Sequence, residues 1–321
     1  MKDTNYAFCV AKIRALENNL LSKQDITSLI GQKDLEAALD FLVQKGFSNE
    51  NEEISEIIKR HTEELNSVLS ESVPDKSKLD ALYILNDYFN LKVIVKSAVE
   101  KTKATELFVY PTTIDASEFD SYSENGEFLF LKQEYREVVK EAYGIALKTE
   151  NGKFSDAVID STAIDALTAY AKSKNSGILG KICAFLADTA DIKLALRCVA
   201  TKQDADFIRA SVGNCCLIDK EKLITSAISG EEELTSYLES TGYNKALEIY
   251  KANPSAFEKW CDDTVMEIAS EAVYKSFGFD PVVFYFYRKS LEIKTVRMIL
   301  AAVKSDVDRA IINERVRTLY A

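Results

Sequence analysis

The stretch DYFNLKVIVKSAV, residues 87–99, places an acid, a small polar residue three positions on, an aliphatic and a base ahead of an aliphatic run. The same frame returns as DTADIKLALRCVA from Asp188 and as EIKTVRMILAAV from Glu292. Three active sites of one kind in one chain make little chemical sense, whereas three copies of one structural unit do. In register, Asn90-Leu91-Lys92 aligns with Asp191-Ile192-Lys193 and with Thr295-Val296-Arg297. Asp87, Asp188 and Glu292 then coincide, each five residues before its base, and VIV, LAL and MIL follow. Residues at i and i+5 do not face each other on a helix. The repeated charges Asp87/Lys92, Asp188/Lys193 and Glu292/Arg297 are therefore expected to meet partners on other helices and to fix packing.

Working outward, each frame is followed by an aliphatic residue, a capping residue and a short helix. The clearest forms are LSKQDITSLI from Leu21 and IDKEKLITSAI from Ile218, with PTTIDASEFDS from Pro111 a weaker copy. A third element ends in glycine and an aromatic, ALDFLVQKGF to Phe47 and TSYLESTGY to Tyr243. The chain enters this cycle partway through and leaves it partway through. The reading is three divergent helical units, 1–110, 111–215 and 216–321, the first and last trimmed.

Helical periodicity supports an all-α fold. Leu35, Ala38, Leu39, Leu42 and Val43 share a face, and Gly46 stands where a helix-ending glycine belongs. Ser22 is placed to cap the preceding helix, with Asp25 near its first-turn amides. Ile54, Ile57, Ile58, Leu65, Val68 and Leu69 form a stripe closed by Pro74. A helix is expected from Ser255 to Phe277, started by Pro254 and stopped by Gly278. No run alternates convincingly as a strand; GEFLFLKQ comes nearest and flows into a helical pattern. Only 11 Gly and 4 Pro in 321 residues fit long helices better than a turn-rich β fold.

Composition excludes several functions. A net charge of −11 opposes wholesale nucleic-acid binding, which needs a basic field. The longest apolar runs, such as PVVFYFY, are far too short to cross a bilayer, and the N-terminus lacks the features of a signal peptide. The expectation is a soluble cytoplasmic chain that can sit on a membrane protein. Six cysteines at 9, 183, 198, 215, 216 and 261 form no C-x-x-C pair and read as reduced core thiols. The single histidine, His61, lies among charges in IIKRHTEEL and reads as a surface residue. SGILGK from Ser176 is not a P-loop, since its glycines are too close and no Ser or Thr follows Lys181. Asp262, Asp263 and Glu267 in CDDTVMEIASE could bind Mg²⁺ only with a facing acidic cluster, and a solvated helix face is the better reading. The aromatics Phe277, Phe279, Phe284, Tyr285, Phe286 and Tyr287 are read mostly as core, with any surplus a partner surface. No catalytic residue, cofactor or metal is expected.

Three stretches carry a family resemblance. YAFCVAKIRALENNLLSKQDI, EIKTVRMIL and INERVRTLY stand in the order of an opening R-I-R-A-x-E-x-x-L-L, a closing E-I-x-N-V-R-x-I-L and a terminal R-x-x-Y. Together, from about Tyr6 to Tyr320, they resemble the C-type subunit of the V/A-type ATPase, the homologue of the eukaryotic d-type subunit. Thr295 replaces the family's Asn and Lys12 its Arg, each altering one packing contact. The resemblance implies three helical units around a pseudo-threefold axis in a funnel. It implies a non-catalytic central-stalk component between the proteolipid rotor ring and the central axle subunits (D and F type). Such a component transmits torque for proton or sodium transport or ATP synthesis, peripheral to the membrane through the complex. The competing reading is a helical-repeat adaptor outside the ATPase. A period of about a hundred residues is long for common solenoid units, which favours the first.

Overall fold

The computed structural model describes residues 3–102, 105–117, 128–149, 152–174 and 176–317. The tail of PTTIDASEFDS, the Gly126-Glu127 start of GEFLFLKQ and the terminal Tyr320 lie outside them. Among the described residues there are helices and no strands. The chain divides into two compact units, Met1–Lys76 with Ala252–Ala321, and Ser77–Lys251.

The first unit holds α1 (Ala7–Glu17), α2 (Lys23–Ile30), α3 (Leu35–Gln44), α4 (Ile54–Ser72), α13 (Pro254–Ser270), α14 (Asp280–Lys304) and α15 (Arg309–Arg315). Ser22 accepts from Asp25 N–H while Asp25 accepts from Ser22 N–H, a reciprocal cap that starts α2 as its sequence requires. Gly46, at φ 69°, follows α3 in the left-handed region, and Phe47 and Ser48 N–H both bond back to Leu42 O. Pro254 occupies the first turn of α13 behind the Asn253 cap. That helix stops at Ser270, short of the expected Phe277. The Arg14 guanidinium donates to the Ala272, Val273 and Lys275 carbonyls and draws the chain out of the helix. The 25-residue α14 is buried along most of its surface because α1, α2, α3, α4 and α13 all pack on it, with Lys294, Arg297 and Lys304 left on an exposed stripe.

The second unit holds α5 (Ser77–Glu100), α6 (Gln133–Thr149), α7 (Gly152–Ala171), α8 (Gly177–Ala200), α9 (Ala205–Ser211), α10 (Lys220–Ser229), α11 (Glu231–Glu239) and α12 (Asn244–Ala252, its last residue counted with the first unit). Here α7 packs on both α5 and α8, and α10 and α11 pack on α8. Ile192, Leu196, Phe207, Ile208, Leu223 and Leu238 are among the apolar residues that join these last elements in one core. Of the SGILGK glycines, Gly177 adopts φ 60° at the start of α8, and a side chain at Gly180 would put its Cβ 2.1 Å from Ser176 Oγ.

The three sequence frames lie on the three longest helices, α5, α8 and α14. Their likeness extends past the helix ends. Lys101, Lys202 and Asp306 adopt φ of 54°, 52° and 53°, each fourteen residues beyond its acid (87 to 101, 188 to 202, 292 to 306). Each following N–H reaches back to the helix: Thr102 to Ser97 O, Gln203 to Cys198 O, Val307 to Ala302 O. That is one helix-ending motif used three times. Asp204 and Asp308 then cap the seven-residue helices α9 and α15.

Candidate functional site: buried acids on the three long helices

Asp87, Asp188 and Glu292 are buried to within 1% of full exclusion from solvent. A carboxylate is driven that deep only if hydrogen bonds replace its water. In each case a loop supplies one or two backbone N–H groups, and at Asp188 and Glu292 that loop leads into α10 and α2. Asp87 accepts from Thr113 N (2.8 Å), Thr113 Oγ1 (2.6 Å), the Thr112 hydroxyl and Tyr135 OH (2.9 Å). Burial pushes its carboxyl upward, and the two threonines and Tyr135 pull it back. Asp188 accepts from Cys216 N (2.8 Å), Leu217 N (3.2 Å) and Tyr243 OH (2.9 Å). Glu292 accepts from Leu21 N at 2.6 Å and from Lys289 Nζ at 2.6 Å.

The supplying loops are the cap-and-turn segments read from the sequence at Pro111, Ile218 and Leu21. For Glu292 the segment comes from the other end of the chain, 271 residues away. Tyr243, the aromatic that closes its glycine-ended element, reaches Asp188 directly. Phe47, its counterpart, has no hydroxyl, and there Lys289 supplies the contact instead, its Nζ 5.0 Å from the Phe47 ring centroid.

The bases of the frames do not share one role. Lys92 meets Asp160 on α7 at 2.7 Å, a partner on another helix as expected. Lys193 is half-buried. Arg297 is exposed and meets no acid on another helix among the described residues, and the cation paired with Glu292 is Lys289. The reading of the chain's one histidine is corrected. His61 is buried, bonds Phe47 O through Nε2 at 2.7 Å and stacks on the Phe47 ring at 3.8 Å. Burial, with Lys289 close by, pushes it down to about 4. The ring is therefore neutral, with Nε2–H donating to Phe47 O. Of the charges around it in sequence, Glu64 lies 3.3 Å from His61 Nδ1 and pairs with Arg60, which also donates to Phe47 O.

Two of the acids of CDDTVMEIASE, Asp262 and Asp263, are engaged by bases. Asp262 accepts from Lys294 Nζ (2.6 Å) and from Arg317 Nε (2.9 Å), the arginine of the terminal R-x-x-Y, while Asp263 pairs with Lys259. All six cysteines carry thiols, four buried and two half-buried. Within the aromatic stretch, Phe284, Tyr285 and Phe286 are core, and Phe277 is 57% exposed. With Tyr274 it borders a shallow groove of about 420 Å³ against Ala7, Val10 and Arg14. No helix among the described residues is long and apolar enough to cross a membrane.

This is the chemistry of anchoring. Asp87, Asp188 and Glu292 are each held by donors from the chain itself. A family model described as "ATP synthase (C/AC39) subunit" matches residues 9–315, nearly the whole chain. A search of curated proteins finds no match.

Proposed function

We propose that this chain, which belongs to the ATP synthase (C/AC39) family of V/A-type ATPase components, is the non-catalytic link between the membrane rotor ring and the central axle of a rotary ATPase. In this reading its three helical units, 1–110, 111–215 and 216–321, stand around a pseudo-threefold axis as a funnel. The funnel passes torque between the axle and the ring. The observation that carries the role is the family match over residues 9–315. The repeated anchors support the triplication: three long helices, three buried acids and three identical helix ends. The N-terminal segment completes the third copy through Leu21 and Glu292. A torque-bearing part must be stiff, and buried acids bound to backbone N–H groups stiffen the junctions between helices. A generic adaptor outside the ATPase would have no reason to match this family from end to end. Affinity capture of the tagged chain from native membranes tests the proposal. Axle subunits and the proteolipid ring should be recovered together. Recovery of neither, from membranes that contain assembled ATPase, refutes it.

A further inference from the structure

The first compact unit exposes aromatic side chains that its own packing does not use. Phe8 on α1 is 74% exposed, and Tyr274 and Phe277, between α13 and α14, are 96% and 57% exposed. The segment that carries the last two is fixed in place. Arg14 Nη2 donates to the Ala272, Val273 and Lys275 carbonyls at 3.1, 2.8 and 3.1 Å, and the Tyr6 ring meets Phe279 edge-on at 6.0 Å. Ordered backbone therefore holds these rings out in water. Large apolar side chains grouped in this way mark a surface that another molecule covers.

The chemistry of the patch narrows what that molecule is. With 28% of the residues charged, a solvent-facing helix should carry charge. Yet the eight exposed positions from Thr4 to Asn19 carry none; they include Phe8 and, at four-residue steps, Ala7, Ala11 and Ala15. Ala7 and Ala11 floor the groove of about 420 Å³, and residues 273–277 form its wall. Depletion of charge beside exposed aromatics is the make-up of an interface core. A floor of small side chains that runs along α1 lets a second helix lie lengthwise at close range. An anionic membrane surface is disfavoured, because free Lys and Arg would be needed to meet its headgroups. Both bases that line the groove already hold acids, Arg14 with Glu17 and Lys275 with Asp280, and Lys12 on the same helix holds Glu71.

We infer that this groove docks one helix of the axle subunits, through an uncharged stripe of that helix. The inference rests on the reading of the chain as a rotary-ATPase component and adds which surface the axle meets. Of the two partners in that reading, the ring lies among headgroups, whereas the axle stands in water. A groove with no free base suits the axle.

Three substitutions in the full-length chain test it: Phe8→Ala, Tyr274→Ala and Ala11→Glu. The two aromatic side chains stand in water, so their removal should leave the urea midpoint of the free chain unchanged. Binding of the purified axle subunits, measured by calorimetry, should weaken by at least about tenfold in each, as loss of an anchor does at an interface core. Ala11→Glu, which sets an unpaired charge on the floor, should weaken it further. Affinities within about twofold of native in all three overturn the groove while leaving the coupling reading intact. A native chain that does not bind the axle subunits at all refutes that reading, and the groove with it. Variants that keep the axle but lose self-association assign the groove to a second copy. Variants that keep the axle but lose binding to phosphatidylcholine–phosphatidylglycerol vesicles assign it to lipid. Either result overturns the inference.

Discussion

Removing the charge of Glu292 should destabilise the first compact unit more than any surface change. Its Oε2 lies 2.6 Å from Lys289 Nζ, and the two side chains are 1% and 9% exposed. In Glu292→Gln the amide oxygen can still accept from Leu21 N, so one hydrogen bond survives. Lys289 is then left as a buried cation with the neutral His61 and the Phe47 ring as neighbours. Stranding one partner of a buried pair costs about 3–5 kcal/mol. Lys289→Met should cost a similar amount by stranding the carboxylate. The double variant removes both charges and fills the space with an apolar side chain, so it should lie within about 2 kcal/mol of the native chain. Urea unfolding followed by tryptophan fluorescence suits the assay, because the one tryptophan, Trp260, lies in α13 of the same unit. Single variants each within about 1 kcal/mol of native, or a double variant as unstable as the sum of the singles, would refute the buried pair as an anchor.

Two further outcomes follow from the same geometry. His61 is pushed down to about 4 in the folded chain from an ordinary value of 6.5, so between those pH values the unfolded chain binds a proton that the folded chain does not. Stability of the first unit should therefore rise with pH across that window, by about 3 kcal/mol in total, and His61→Phe should flatten the profile; an unchanged profile contradicts the burial. Gly213→Ala should cost about 1–3 kcal/mol through its clash with Ile164 and Ser161 O, and Ile164→Ala should relieve part of it; urea midpoints that simply add would show no such contact.

The long helices and their acids are legible in the sequence because an acid inside an aliphatic run is costly to bury without partners, and its recurrence at one spacing gives the partners away. The caps at Ser22, Gly46 and Pro254 are legible because they depend on local backbone chemistry. The charged sequence neighbours of His61 point to the surface, yet Ile57, Leu65 and Leu69 lie at four-residue steps on its own face, and that stripe is the signal for burial. Lys289 is hidden in the aromatic run FYFYRKSLE, where only its place three residues before Glu292 speaks for a pair. The shortened α13 is not legible at all. The Arg14 guanidinium that ends it comes from 258 residues away, and no local pattern encodes such a contact. The same holds for Leu21 on Glu292 and for Arg317 on Asp262, which tie the ends of the chain to residues remote in sequence.

If the chain couples axle to ring, its removal should separate ATP hydrolysis from ion transport. Reconstituted ATPase lacking this chain, assayed in parallel for ATP hydrolysis and for ion transport, tests it most directly. Hydrolysis should persist while transport is lost, and adding back the purified chain should restore transport. Transport at the normal rate in its absence would contradict the account.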